Sequence, residues 1–173
     1  MEDRTSQRPP TFTLAIRRAD NEQFNEIVST SYQYRSGLAT EGWLVIKERQ
    51  PPLSVLGCNF RFTHCTSDSK GLPRYTIVGD IRHKSSRDFT GGHLEISRNG
   101  YLGLYNISTS GQQWTVEFGD AIAVSESAQQ WYRIRLKSVQ GQQPRQRLSN
   151  GERYLNVYQG QPLSLIAAIL AVS

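Results

Sequence analysis

Apolar and polar side chains alternate along much of this chain with a period of two. That is the pattern of a half-buried strand, because successive side chains of an extended chain point to opposite sides of a sheet. The clearest case is Trp131–Val139, with Trp131, Arg133, Arg135 and Lys137 on one face and Tyr132, Ile134, Leu136 and Ser138 on the other. Its partner begins at Tyr154–Leu163 and runs into Leu163–Val172, so the chain is read as ending inside its own core. Upstream, Phe12–Arg17 places Phe12, Leu14 and Ile16 on one face. Further strands are predicted at Ile27–Tyr34, Trp43–Lys47, Val55–Phe62, Arg74–Ile81, Leu102–Ile107 and Trp114–Phe118. One strand every ten to twelve residues favours a sandwich or barrel over any βαβ arrangement. The expectation is an all-β fold, an antiparallel β-sandwich of about nine or ten strands. A short helical turn capped at Ser85 or Ser86 is predicted within residues 84–90.

Length and composition fit one domain. The chain has 173 residues, 37% of them hydrophobic, enough for one core with a solvated sheet face. Residues 1–10 read as a disordered leader before a single domain over 11–173, and Gln140–Arg147 reads as a mobile polar loop. The net charge of +5 raises the question of nucleic acid. The basic residues, however, are scattered from Arg4 to Arg153 and alternate with apolar positions, which describes a solvated basic face; no nucleic-acid partner is expected. Cys58 and Cys65 do not have zinc spacing, no metal or other cofactor is expected, and whether the two cysteines pair is open. Met1–Pro10 has no apolar core of a secretory signal, and the final apolar run is too short to cross a bilayer as a helix. A cytoplasmic protein with free thiols and no stable membrane insertion is expected. The sequon Asn106-Ile107-Ser108 carries no weight without secretion.

Several of these strands together resemble the fungal fruit-body lectins, the family of the common mushroom lectin. Phe12-Thr-Leu-Ala-Ile-Arg17 matches that family's first strand. Tyr32-Gln-Tyr34 before Ser36-Gly37 is similar to its second, and Gly57-Cys-Asn-Phe-Arg-Phe62 to a later one with one added residue. Lys84 and Asp88 resemble a spaced Lys–Asp pair after the family's central strand, and Tyr154–Leu163 nearly repeats its closing Tyr-x-Val-x-x-Gly-x-x-Leu. An insertion around 140–152 departs from the pattern. The resemblance covers most of residues 11–172. It implies an actinoporin-like sandwich, assembled as a dimer or tetramer, that binds glycans or glycoproteins without a cofactor. One family pocket takes galactose-containing mucin-type glycans, the other terminal N-acetylglucosamine. Carried over, Ser36 and Gly37 fall in the first pocket, together with part of Leu53–Gly57. Asp88, Phe89 and Thr90 match the second. The family's His-Asn pair falls on Ile81-Arg82, with His83 one residue on, and the second pocket's Tyr falls near Ile122.

The chemistry of the residues agrees. A sugar offers hydroxyls and one apolar face, so its site needs an acceptor, a basic donor and an aromatic surface. Arg82, His83, Arg87, Asp88 and Phe89 supply each type within one short segment. The plain structural alternative is that Asp88 caps a turn and Phe89 is core. Trp43, Trp114 and Trp131 are platforms by type, although tryptophans in strands more often pack. Asp80 with Asp88 or Glu95 are the only carboxylates close enough in sequence for a glycosidase pair, and no catalytic motif accompanies them. The sequence therefore points to a non-catalytic lectin with a defensive role implied by the resemblance. Its rivals are a ligand-free assembly module and a membrane-active, cytolysin-like protein on the same fold.

Overall fold

The computed structural model describes residues 9–20, 24–35, 38–48, 59–80, 92–105, 111–124 and 127–173. Among them are thirteen strands and no helix: β1 (Phe12–Arg18), β2 (Glu26–Arg35), β3 (Leu38–Glu48), β4 (Asn59–Ser67), β5 (Pro73–Asp80), β6 (Gly92–Ile96) and β7 (Leu102–Tyr105) form the first half. Then come β8 (Trp114–Ile122), β9 (Trp131–Ser138), β10 (Arg145–Ser149), β11 (Glu152–Asn156), β12 (Gln161–Pro162) and β13 (Leu165–Val172).

All pairings are antiparallel, as expected, but the sheet closes on itself instead of forming the two layers of a sandwich. Neighbours run β3–β2–β1–β13–β9–β8–β5–β6–β7, and β7 returns to β3 through Gly42↔Leu104 and Trp43↔Gly103, a circuit of nine strands. Within that circuit closure removes the free sheet edges that a two-layer sandwich would leave. β4 lies between β1 and β5, pairing both, while β11, β10 and β12 extend from β3. The period-two pattern is the same for a barrel and a sandwich; the β3–β7 pairing decides between them.

The interior is filled by the inward residues that the alternation selects. Phe12, Leu14 and Ile16 of β1 meet Phe60 and Phe62 of β4, Leu102 and Leu104 of β7, and Trp114 of β8. The void left among them is only about 10 Å³ and lined by apolar side chains, so the barrel carries a packed core and not an internal ligand chamber. Trp114 is fully buried and donates its indole N–H to the Leu94 carbonyl at 3.2 Å. Trp131 lies on the outer surface but is covered too. It packs with Ile166 and Ala168 and with Phe24, Ile122 and Val124, under the Arg17 guanidinium at 4.4 Å from its ring. Arg133 and Arg135 on the same strand are exposed, and Arg135 stands 4.0 Å from Glu117.

Charge closes one end of the core. Arg18, Glu26 and Arg153 continue the inward-facing rows of β1, β2 and β11, and Glu26 accepts from Arg18 at 2.8 Å and from Arg153 at 2.5 Å. Burial pushes the Glu26 carboxyl up, and hydrogen bonds from Arg153 and then Arg18 outweigh it, leaving its pKa below the ordinary 4.5. The other end is apolar: Phe118, Ile169, Leu170 and Val172 are exposed, with Phe118 edge-on to Phe12 at 6.1 Å.

Several expectations change in detail. Leu165–Ala168 are buried as predicted, but the residues after them lie on this apolar rim and not inside the core. The single run Tyr154–Val172 is three strands broken at 157–160 and 163–164. Gln140–Arg147 is not all loop: β10 begins at Arg145, and Ser138 and Gln142 bond each other through backbone and side chain across the turn before it. β6 was not anticipated from the sequence. Cys65 is a free, exposed thiol, whereas Cys58, the turn predicted at 84–90 and residues 1–8 of the leader lie outside the described residues. No helix among the described residues is long and apolar enough to cross a membrane.

Candidate functional site

The outward rows of three strands converge on one cleft. Because Leu44 and Ile46 of β3 face the core, Trp43 faces out; because Leu102 and Leu104 of β7 face in, Tyr101, Gly103 and Tyr105 face out; and Leu155 of β11 turns Tyr154 out. The β3–β7 and β3–β11 pairings bring these rings together. Trp43 meets Tyr101 at 5.7 Å and Tyr105 at 5.9 Å, both edge-to-face, and Tyr101 meets Tyr154 at 5.6 Å in the same way. Arg147 of β10 lies opposite Tyr154 and holds its guanidinium 5.4 Å from the Tyr101 ring centre. Gly103 sits opposite Trp43, and a Cβ there would come within 3.3 Å of both the Trp43 and Tyr105 rings. The missing side chain lets the two rings close over the strand.

Two hairpin turns form the polar walls. Between β6 and β7, the Ser97 N–H donates to the Tyr101 carbonyl and the Tyr101 N–H to the Ser97 hydroxyl around Arg98, Asn99 and Gly100, with Gly100 at φ +86. Between β10 and β11, Asn150 at φ +50 and Gly151 at φ +78 form a two-residue turn of the kind that matches strand twist. Asn156 ties the first turn to β11. It is fully buried, donates to the Asn99 carbonyl at 3.1 Å and accepts from the backbone N–H groups of Tyr158 at 2.8 Å and Gln159 at 2.9 Å.

The result is an open cleft of about 460 Å³ lined by Trp43, Tyr101, Tyr105 and Tyr154, with Ser97, Arg98, Asn99, Ser149 and Asn150 around them. It combines ring faces and edges with amides, hydroxyls and a guanidinium, the set a sugar requires. Among the described residues no carboxylate lines it. Glu95, the glycosidase candidate that can be followed, directs both carboxylate oxygens to the backbone N–H of Gln112 at 3.1 and 2.9 Å. Among the described residues no three of His, Cys, Asp or Glu gather as a metal site.

The site residues expected from sequence fall elsewhere. Ser36 and Gly37, and Arg82, His83, Arg87, Asp88, Phe89 and Thr90, lie outside the described residues. Their segments join β2 to β3 and β5 to β6, with Arg35 opposite Leu38 and Gly79 opposite Gly92. Ile122, aligned with the family's pocket Tyr, packs beside Trp131. Of the three tryptophans, Trp114 and Trp131 are packing residues and Trp43 lines the cleft. Tyr101, Tyr105 and Tyr154 were not read as site residues. The overlooked signals were the outward phase of Tyr101 and Tyr105 about Leu102 and Leu104, and the Asn150-Gly151 dipeptide, a strong hairpin mark. No family model, curated protein or solved structure matches the chain.

Proposed function

We propose that this protein is a non-catalytic lectin that holds a glycan in the Trp43–Tyr154 cleft. The observation carrying the reading is the cleft itself, with four aromatic side chains and a rim of Ser97, Arg98, Asn99, Ser149 and Asn150 on the outside of a filled barrel. Aromatic surface lies against the apolar face of a sugar, and the amides and hydroxyls of the two turns meet its hydroxyls. The resemblance to fungal fruit-body lectins supplies the ligand class, galactose-containing mucin-type glycans or terminal N-acetylglucosamine. It also keeps the Ser36–Gly37 turn and the Arg82–Thr90 segment in this proposal, as the galactose and N-acetylglucosamine pockets respectively. A glycan array run with the wild type, Trp43→Ala and Asp88→Ala separates the two places. Loss of signal in Trp43→Ala alone supports the cleft, and loss in Asp88→Ala alone moves the site to the β5–β6 segment. Silence of the folded wild type contradicts the lectin reading.

A second reading, homo-oligomeric assembly, is favoured by the apolar rim of Phe118, Ile169, Leu170 and Val172. Exposed apolar side chains grouped at one end of a barrel are a surface for association. The two readings are compatible, since the rim and the cleft share no residue.

A further inference from the structure

Resting on the lectin reading, we infer that the cleft selects an acidic saccharide, a sugar carrying a carboxylate or sulfate, over its neutral counterpart. Neutral sugar hydroxyls donate as well as accept, and sites for them commonly hold a carboxylate to take those protons. Among the described residues nine line the cleft, and none of those is Asp or Glu. Of the nearby carboxylates whose side chains are described, Glu95 is held on the Gln112 backbone N–H, and Glu152, one residue beyond the second turn, is not part of the lining; the Glu41 side chain lies outside the description.

The cations point the same way. Arg98 lines the cleft, is exposed, and has no hydrogen-bond or ion-pair partner among the described residues. Arg147 rests on the Tyr101 ring, again with no carboxylate partner among them. Elsewhere in the barrel, Arg18 pairs with Glu26 and Asp20, Arg153 pairs with Glu26, and Arg145 donates to the Gly160 carbonyl. A guanidinium has donors only, in a planar fork that matches a carboxylate or sulfate. An anion on a sugar stacked against Trp43 or Tyr154 would supply a charged acceptor for these guanidinium groups, which the neutral amides and hydroxyls of the lining do not.

A single-stranded nucleic acid also offers anions and stacking faces. It requires rings that present free faces in succession along a strand. The rings here are packed edge-to-face on one another, and the Tyr101 face is covered by Arg147. That arrangement suits one or two sugar rings better than a run of bases.

The test is titration calorimetry of the full chain with matched pairs, sialyllactose against lactose and sulfated lactose against lactose, with polyuridylate alongside. The expected result is about tenfold or tighter binding of at least one acidic member, the yield of one charge-assisted pair, shrinking as salt rises. Arg98→Gln combined with Arg147→Gln should remove that advantage, weakening the acidic member about tenfold more than lactose. Trp43→Ala should weaken acidic and neutral members alike, with Tyr154→Ala as the second aromatic variant if the first fails to fold. Equal binding of lactose and its acidic forms through Trp43 overturns this inference and leaves the lectin reading standing. No sugar binding at all overturns both, and polyuridylate binding lost in the aromatic variants assigns the cleft to nucleic acid instead.

Discussion

Asn156 shows how one side chain can hold a site that it does not line. Buried and fully satisfied, it fixes Asn99 at one end and the Tyr158–Gln159 backbone at the other. Asn156→Ala should leave one carbonyl and two N–H groups without partners and cost about 2–4 kcal/mol, read by urea unfolding. Gly100 is bound to the same place: a Cβ there would lie 2.5 Å from the Tyr158 ring. Glu26 is the corresponding residue at the closed end of the core. Its folded pKa lies below 4.5, so its stabilisation is present above the unfolded value and is lost as pH falls through the folded one. Wild-type stability should therefore decline on acidification below about pH 4.5, and Glu26→Gln should flatten that part of the profile while costing about 2–3 kcal/mol at neutral pH. An unchanged acid limb in Glu26→Gln would assign the decline to other carboxylates.

At the scale of elements, legibility followed alternation. β1 and β9 were readable because Phe12, Leu14 and Ile16, and Ile134 and Leu136, repeat every second residue against polar neighbours. β10 was not, since Arg145-Gln-Arg-Leu-Ser149 has no buried face and exposes Leu148. Its existence is encoded in the next two residues, Asn150-Gly151, whose left-handed backbone sets the hairpin register. Gly151→Val should cost about 1–2 kcal/mol in thermal or urea unfolding and displace Asn150 from the cleft rim. Retained stability with full glycan binding would show that the turn tolerates another conformation. The aromatic cleft was illegible for a related reason. Trp43 and Tyr154 each occupy an ordinary outward position, and only the pairing of β11 with β3 makes them neighbours.

For the whole molecule, closure was the feature that sequence did not distinguish. Either architecture buries the same alternating residues, and the ring is completed by two residue pairs between β3 and β7. One of them, Trp43↔Gly103, contains the tryptophan that lines the cleft, so closure and the site share Trp43. The barrel's two ends differ as well, ion-paired at Glu26 and apolar at Phe118, Ile169 and Val172. If that rim joins copies of the chain, Phe118→Ser with Val172→Ser should lower the mass found by light scattering on a sizing column, leaving glycan binding per chain unchanged. An unaltered mass removes the rim from any assembly.

The central claim is that a glycan occupies the Trp43 cleft, and tryptophan side-chain NMR addresses it most directly. With indole nitrogens labelled, the chain has three reporters. The Trp114 and Trp131 N–H groups are held by the Leu94 carbonyl and the Ser127 hydroxyl, while Trp43 faces the cleft. Titration with the best glycan from the array should move the Trp43 indole signal and leave the other two in place. Saturable glycan binding with an unmoved Trp43 signal would contradict the account and place the ligand elsewhere on the barrel.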